Sequence, residues 1–269
     1  MDRNPIVAGQ FYTAEPKALA AEVQRFLAAA DGREEKPTLL AMAPHAGYVF
    51  SGAVAGKTLG RANLAGTILL LGPNHTGMGS RYAVWHMGSW MFPGGSLCVD
   101  DDLAAALIAK DPRLTPDRTA HMNEHSLEVL VPFLWAKNPE TRIVPISVGG
   151  GGLEELLDVG RMLGKSLKAR KGPVSIVVSS DMSHYISHEQ AQSRDSLALA
   201  AVAALDPSAL FEVVRSKNIT MCGVLPMVVG LSAARELGAS KAEVVAYATS
   251  GEVNQDMNRV VGYAGVLVS

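Results

Sequence analysis

Three apolar runs in this sequence each end in a loop that carries a histidine or an aspartate. The runs and the polar residues after them are 38–43 with His45, 67–71 with His75, and 174–180 with Asp181 and His184. Apolar, β-branched runs of this length between helical patterns are typical of buried parallel strands. The functional crevice of an open α/β sheet lies at the carboxyl ends of its strands. We therefore predict that these polar side chains share one edge of one sheet.

The rest of the chain alternates helical and strand patterns. Helical periodicity covers 16–30, 100–110, 153–168 and 189–205, and further strands are predicted at 142–148, 242–249 and 260–268. An aromatic section at 82–99 contains a Pro-Gly-Gly turn and predicts a hairpin. Because no linker of biased composition interrupts the pattern, we predict one domain over residues 1–269. Its fold class is α/β, a three-layer αβα domain with a mixed, largely parallel central sheet.

The composition of the chain limits what kinds of molecule it is expected to bind and where in the cell it is expected to lie. A net charge of −2 gives no general attraction to nucleic acid or to an anionic membrane, and no apolar run approaches the ~20 residues of a membrane span. The two cysteines, Cys98 and Cys222, imply no disulfide framework, so a cytoplasmic location is expected. Cys98 is expected to be a small buried hydrophobe.

The polar residues at the strand ends are suitable metal ligands. Two neutral imidazoles and one anionic ligand on one side of a metal are the pattern of open mononuclear iron sites. His45 and His75 are the imidazole candidates, and Asp181 and Cys222 compete for the anionic place. A thiolate there favours copper(I), zinc or a more reducing iron centre. The alternative for each histidine is a loop residue that is hydrogen-bonded to the backbone.

Two further histidines each have more than one candidate role. His184 could be a ligand, a base, or a residue that orients Asp181 by a hydrogen bond. His125, beside Glu124 at a predicted helix start, is a general acid/base candidate, with a helix-capping cluster as the alternative. A helix starting at 51–52 would leave free amides facing the His45 loop as an anion site, unless it is an ordinary capped helix.

Several motifs, taken in order, resemble the Memo family over nearly the whole chain. They are 5–12 (PIVAGQFY), 44–48 (PHAGY), 51–52 (SG), 72–75 (GPNH), 124–126 (EHS), 132–133 (PF), 179–184 (SSDMSH) and 222–223 (CG). Prokaryotic members are known as protein B of a three-part system with a radical-SAM protein. The resemblance therefore implies partner proteins from that radical-SAM-linked system.

The Memo fold resembles class III extradiol dioxygenases of the protocatechuate 4,5-dioxygenase type, which cleave catechol rings with non-haem Fe(II). Carried over to this sequence, the family's metal site falls on His45, His75 and Cys222. Asp181 and His184 lie beside it, and His125 faces the substrate. The implied cofactor is Fe(II), with copper as the alternative. Ring-cleaving enzymes have a glutamate where this sequence has a cysteine, so ring cleavage does not follow from the fold.

Three functions remain open at this stage. The first is a metal-dependent redox enzyme that acts on a small molecule, with Asp181, His184 and His125 as its catalytic residues. The second is a non-enzymatic module that binds a peptide or a partner protein in the same pocket. The third is a metal-handling protein that stores or transfers iron or copper. The aromatic section at 82–99 is a candidate surface for a homodimer.

Overall fold

The computed structural model describes residues 2–269. The strands are β1 Leu40–Ala43, β2 Thr67–Pro73, β3 Tyr82–Val84, β4 Ser89–Phe92, β5 Gly95–Val99, β6 Leu114–Pro116, β7 Arg142–Val148, β8 Val174–Ser179, β9 His184–Ile186, β10 Ala242–Thr249 and β11 Val260–Val268. The helices are α1 Pro16–Ala28, α2 Tyr48–Arg61, α3 Asp101–Lys110, α4 Thr119–Met122, α5 Val131–Lys137, α6 Leu153–Ala169, α7 His188–Ala203, α8 Pro207–Ser216, α9 Val224–Glu236 and α10 Gly251–Asn254. A 3-10 turn, Glu128–Leu130, precedes α5.

The central sheet is mixed and mostly parallel, as the sequence predicts. Its order is β10-β11-β1-β8-β2-β7-β3-β6, and β1, β8, β2 and β7 run parallel to one another. β11 is antiparallel to β1 and to β10, while β3 is antiparallel to β7. The predicted hairpin is the antiparallel pair of β4 and β5. The three strands that precede His45, Asp181 and His75 are therefore neighbours in the order β1-β8-β2.

Two apolar cores lie on opposite faces of this sheet. In β2, Leu69 and Leu71 face the core that α6, α8 and α9 cover. Ile68 and Leu70 face the core beneath α1, α2 and α5. Because successive side chains of a strand point to opposite faces, a strand buried on both sides must be apolar throughout. The result is the predicted three-layer arrangement of helix, sheet and helix.

Two local expectations are wrong. Helix α2 begins at Tyr48 rather than at 51, and the Ser51 amide donates to the Gly47 carbonyl at 3.1 Å. That amide is already used within the helix, so the expected anion site at 51–52 does not form. Cys98 is exposed, because strand alternation in β5 points its neighbours Leu97 and Val99 into the core.

Across residues 2–269, none of the helices combines the length and the apolar character that crossing a membrane requires.

Candidate metal centre

The carboxyl edge of the sheet brings the predicted polar side chains together. His45 follows β1, His75 follows β2 and Asp181 follows β8, the strand between them. The backbone N–H of His45 donates to Oδ1 of Asp181 at 2.8 Å. This contact joins two strand ends whose residues lie far apart in the chain.

Three imidazoles form the centre of this edge. One ring nitrogen from each of His45, His75 and His125 lies within 4.8 Å of the others. The His45 and His75 ring centroids are 5.3 Å apart, and the His75 and His125 rings stack at 5.0 Å with 19° between their planes. His125 reaches the group from the loop after α4 rather than from a strand end. This group could hold a metal ion.

The tautomer of His45 follows from its hydrogen bonds. The single hydroxyl hydrogen of Ser179 is donated to the Ser126 carbonyl at 2.6 Å. The Ser179 oxygen, 2.8 Å from Nδ1 of His45, therefore accepts a hydrogen from that nitrogen. Nε2 of His45 keeps its lone pair. Burial, together with the nearby His125 and His75, holds the pKa of His45 well below its usual value, so the ring is neutral and suited to bind a metal.

A buried carboxylate orients His75. Oε1 of Glu124 accepts from Nδ1 of His75 at 2.9 Å and from the Ser126 amide at 2.9 Å. Oε2 of Glu124 accepts from the His75 backbone N–H at 2.5 Å. These contacts place a hydrogen on Nδ1 of His75 and leave Nε2 as the nitrogen that could bind a metal ion, the arrangement seen behind many metal-ligating histidines.

Glu124 and His75 also shift each other's pKa. Burial alone would raise the pKa of Glu124, but the hydrogen bond and charge of His75 and the amides of Ser126 and His75 lower it to about 2. Burial lowers the pKa of His75, but Glu124 outweighs it, so the pKa of His75 is raised from its ordinary value. A metal ion would therefore compete with a proton for this imidazole.

Cys222 lies beside the histidines on the turn before α9. Its Sγ is 3.4 Å from Nε2 of His45, and it accepts from the Asp181 amide at 3.2 Å. A Cβ at Gly223 would lie 2.4 Å from Cβ of Ser180, so only glycine permits this close approach. Burial and the Asp181 carboxylate raise the pKa of the Cys222 thiol, whereas a bound cation would favour the thiolate.

Asp181 and His184 occupy the remaining side of the edge. Asp181 is buried, and burial raises the pKa of its carboxyl despite the His45 N–H that it accepts. His184 is outside the three-histidine group. Its Nδ1 donates to the Thr220 carbonyl at 2.9 Å, which ties His184 to the segment that leads to Cys222.

Three contributors were not predicted from the sequence. Glu124 was assigned a helix-capping alternative, but its side chain orients His75. Ser179, the last residue of β8, fixes the tautomer of His45. The edge of the Phe11 ring contacts His125 at a centroid distance of 4.8 Å. A hydroxyl at a strand end and an acid next to a histidine are signals that could have identified Ser179 and Glu124. Phe11 lies in the 5–12 motif, but nothing in that motif indicates a contact with His125.

Fold and site together define a class. This is an α/β protein with a cluster of three imidazoles at the carboxyl edge of a mixed, mostly parallel sheet. The family described as Memo-like protein matches residues 3–267, and the chain belongs to this family.

Relatives match along their whole length. A MEMO1 family protein of Methanopyrus kandleri is 38% identical over 279 residues, which cover 99% of each chain. A MEMO1 family protein of Aquifex aeolicus is 39% identical over 267 residues, which cover 98% of each chain. An uncharacterized protein of Escherichia coli K12 has a similar fold, with a TM-score of 0.56 at 14% sequence identity over 86% of this chain and 99% of that one.

Proposed function

We propose that this chain is a metal-dependent redox protein that binds Fe(II), or copper, at the carboxyl edge of its sheet. The observation that carries the proposal is the orientation of two histidines. Ser179 holds Nδ1 of His45 and Glu124 holds Nδ1 of His75, so both rings keep Nε2 free for a metal. A histidine that only fills space in a core does not require a fixed acceptor at Nδ1, whereas both of these rings have one.

The donor set fits a first-row metal ion. Nitrogens bound to one ion at about 2.0–2.1 Å lie at most about 4.2 Å apart, and the three imidazole nitrogens here lie within 4.8 Å of one another. Small rotations of the rings would bring them onto one ion. Imidazole ligands suit iron, copper and zinc alike, so metal identity must be measured.

The third ligand is either His125 or Cys222. His125 completes the three-nitrogen group, while Sγ of Cys222 is 3.4 Å from Nε2 of His45, a separation compatible with two ligands of one ion. If Cys222 binds, His125 is free to act as the acid or base that faces the substrate. Loss of metal in Cys222→Ser but not in His125→Ala would assign the thiolate, and the reverse would assign the imidazole.

When bound, Fe(II) with open positions supplies the redox chemistry of a dioxygenase-like enzyme. The chain's own residues would position and protonate the substrate. Nδ1 of His184 donates to the Thr220 carbonyl, so Nε2 is the nitrogen through which this ring would exchange a proton with the substrate. Asp181, with its raised pKa, can carry a proton at its buried carboxyl. Phe11 forms an apolar wall against His125.

The deciding experiment is the metal content of protein purified without oxygen. Wild type would be compared with His75→Ala, Cys222→Ser and His125→Ala, with His188→Ala as the matched control, because His188 bonds to Thr249 outside the histidine group. We expect about one iron or copper per wild-type chain, lost in His75→Ala and kept in the control. No metal in the wild type, even after reconstitution with Fe(II) or Cu(I), would refute the proposal.

If the wild type does contain the metal, oxygen uptake over a panel of catechols would test for dioxygenase activity.

A partner-binding role is favoured by one specific observation. Four exposed apolar side chains lie within four positions of a site histidine in the sequence: Val49, Met78, Met122 and Tyr185. Exposed apolar side chains that form a contiguous patch are typical of interaction sites. Binding of a peptide or a radical-SAM-linked partner that survives removal of the metal would support this role. Fast metal exchange without oxygen uptake would instead indicate metal handling.

A further inference from the structure

The first residues of the chain lie against the loop that carries Glu124 and His125. We call residues 3–12 the N-terminal strap and residues 121–128 the site loop. The strap is anchored at Arg3, whose backbone bonds to Ser89 and Met91, each at 2.8 Å. Arg3 is 1% exposed. A fully buried guanidinium costs several kcal/mol unless it is paired and hydrogen-bonded, so its partners identify what it does.

Three partners of the Arg3 guanidinium lie on the site loop. Nη1 of Arg3 pairs with Oε2 of Glu128 at 2.7 Å. Nη2 donates to the Glu124 carbonyl at 2.6 Å, and Nε donates to the His121 carbonyl at 2.9 Å. The guanidinium also lies over the Trp90 ring at 4.4 Å. One rigid fork of donors thus fixes the loop at three points, two before His125 and one after it.

Glu128, on the site loop, also binds the later part of the strap. Its carboxylate accepts from the backbone amides of Ile6 and Val7 at 3.0 Å and from the Tyr12 hydroxyl at 2.8 Å. These bonds hold the strap in place up to Tyr12. The residue before it, Phe11, contacts the His125 ring, and its carbonyl accepts from the amide of Tyr48, the first residue of α2.

These contacts form a continuous chain from the strap to two of the three imidazoles. Arg3 holds the backbone of Glu124, and the Glu124 side chain orients His75 through both oxygens. Phe11 supports the ring of His125. His45 is independent of the strap, because Ser179 in β8 orients it.

We propose that Arg3 is a positioning residue of the histidine cluster, acting through the Glu124 backbone on His75 and through the strap on His125. The proposal rests on the proposed function only where metal binding is concerned. The placement of the two rings can be measured without a metal. Lysine cannot replace Arg3 in this role, because a single ammonium cannot donate in a fork to Glu128 and to two carbonyls at once.

Two strap variants separate positioning from stability. Arg3→Lys keeps a charge beside Glu128 but loses the carbonyl contacts. Tyr12→Phe removes another hydrogen bond to the same Glu128 and leaves the contacts of Arg3 intact. Both should lower the melting temperature. In metal-free, histidine-labelled protein we expect only Arg3→Lys to shift the ring nitrogen NMR signals of His75, because Tyr12→Phe leaves the Arg3–Glu124 contact intact. Both variants should move the signals of His125, since each loosens the strap that carries Phe11, while the signals of His45 stay in place.

Cobalt(II) binding is the second measurement. Loss of a partner behind a metal ligand typically weakens binding 10–100-fold, and we expect about tenfold weaker cobalt binding in Arg3→Lys, with a smaller loss in Tyr12→Phe. A His75 signal in Arg3→Lys that matches the His75 signal of Tyr12→Phe would overturn the proposal. If the wild type binds no cobalt, the proposed function fails, and the ring signals alone decide the role of Arg3. Should Arg3→Lys not fold, Arg3→Gln with Glu128→Gln gives a neutral pair for the same comparison.

Discussion

Replacing Glu124 by glutamine changes one atom in the support of His75. The carboxylate accepts three hydrogen bonds, two from His75 and one from Ser126. A glutamine has one accepting oxygen, so either orientation of its amide turns an NH2 group toward at least one N–H donor. At least one charge-assisted hydrogen bond is lost, each worth about 1.5–3 kcal/mol.

We expect this loss to weaken Fe(II) binding by about 10–100-fold, which equals about 1.4–2.8 kcal/mol. The assay is an anaerobic titration of Fe(II) against a competing chelator at neutral pH. Glu155→Gln is the matched control, because Glu155 pairs with Arg81 on the surface. An affinity of Glu124→Gln within twofold of wild type would refute the conclusion that Glu124 orients a metal ligand.

The same variant has a signature in pH dependence. Glu124 raises the pKa of His75, so protons compete with the metal and the apparent affinity of the wild type should fall as pH drops through that raised pKa. In Glu124→Gln this fall should begin at lower pH. The Glu124 carboxyl, with its pKa lowered to about 2 from 4.5, adds folding stability that is present above pH 4.5 and is lost as pH falls toward 2. Glutamine should remove that part of the acid-unfolding profile.

Three further variants test separate parts of the structure. Ser179→Ala removes the acceptor that fixes the tautomer of His45, so chelator competition should show metal binding at least about tenfold weaker. Gly223→Ala forces a Cβ to within 2.4 Å of the Cβ of Ser180, and chemical unfolding should show a loss of about 1–3 kcal/mol. Burial, together with the charge of Arg33, lowers the pKa of Lys137 to about 8 from 10.5. The free energy of unfolding of the wild type, relative to that of Lys137→Met, should therefore rise between pH 8 and 10.5. A difference between the two proteins that does not change with pH would contradict this.

The sequence predicts most of the sheet because its strands are buried on both faces and must be apolar throughout. It predicts that His45, His75 and Asp181 meet because parallel strands present their carboxyl ends at one edge. It does not predict that His125 joins the imidazole cluster, since a loop position is set by tertiary contacts such as those of Arg3. Nor does local pattern reveal that the strap reaches the site.

The order β1-β8-β2 also determines when the site can form during folding. His45 and Asp181, which share a hydrogen bond, are separated by 136 positions, and Cys222 and His45 by 177. Contacts between distant segments form slowly, because the chain loses the entropy of closing a long loop before the contact can stabilise it. A ribosome must therefore release most of the chain before the donors can meet. If the site binds a metal ion as proposed, the complete donor set that includes Cys222 becomes available only late in folding.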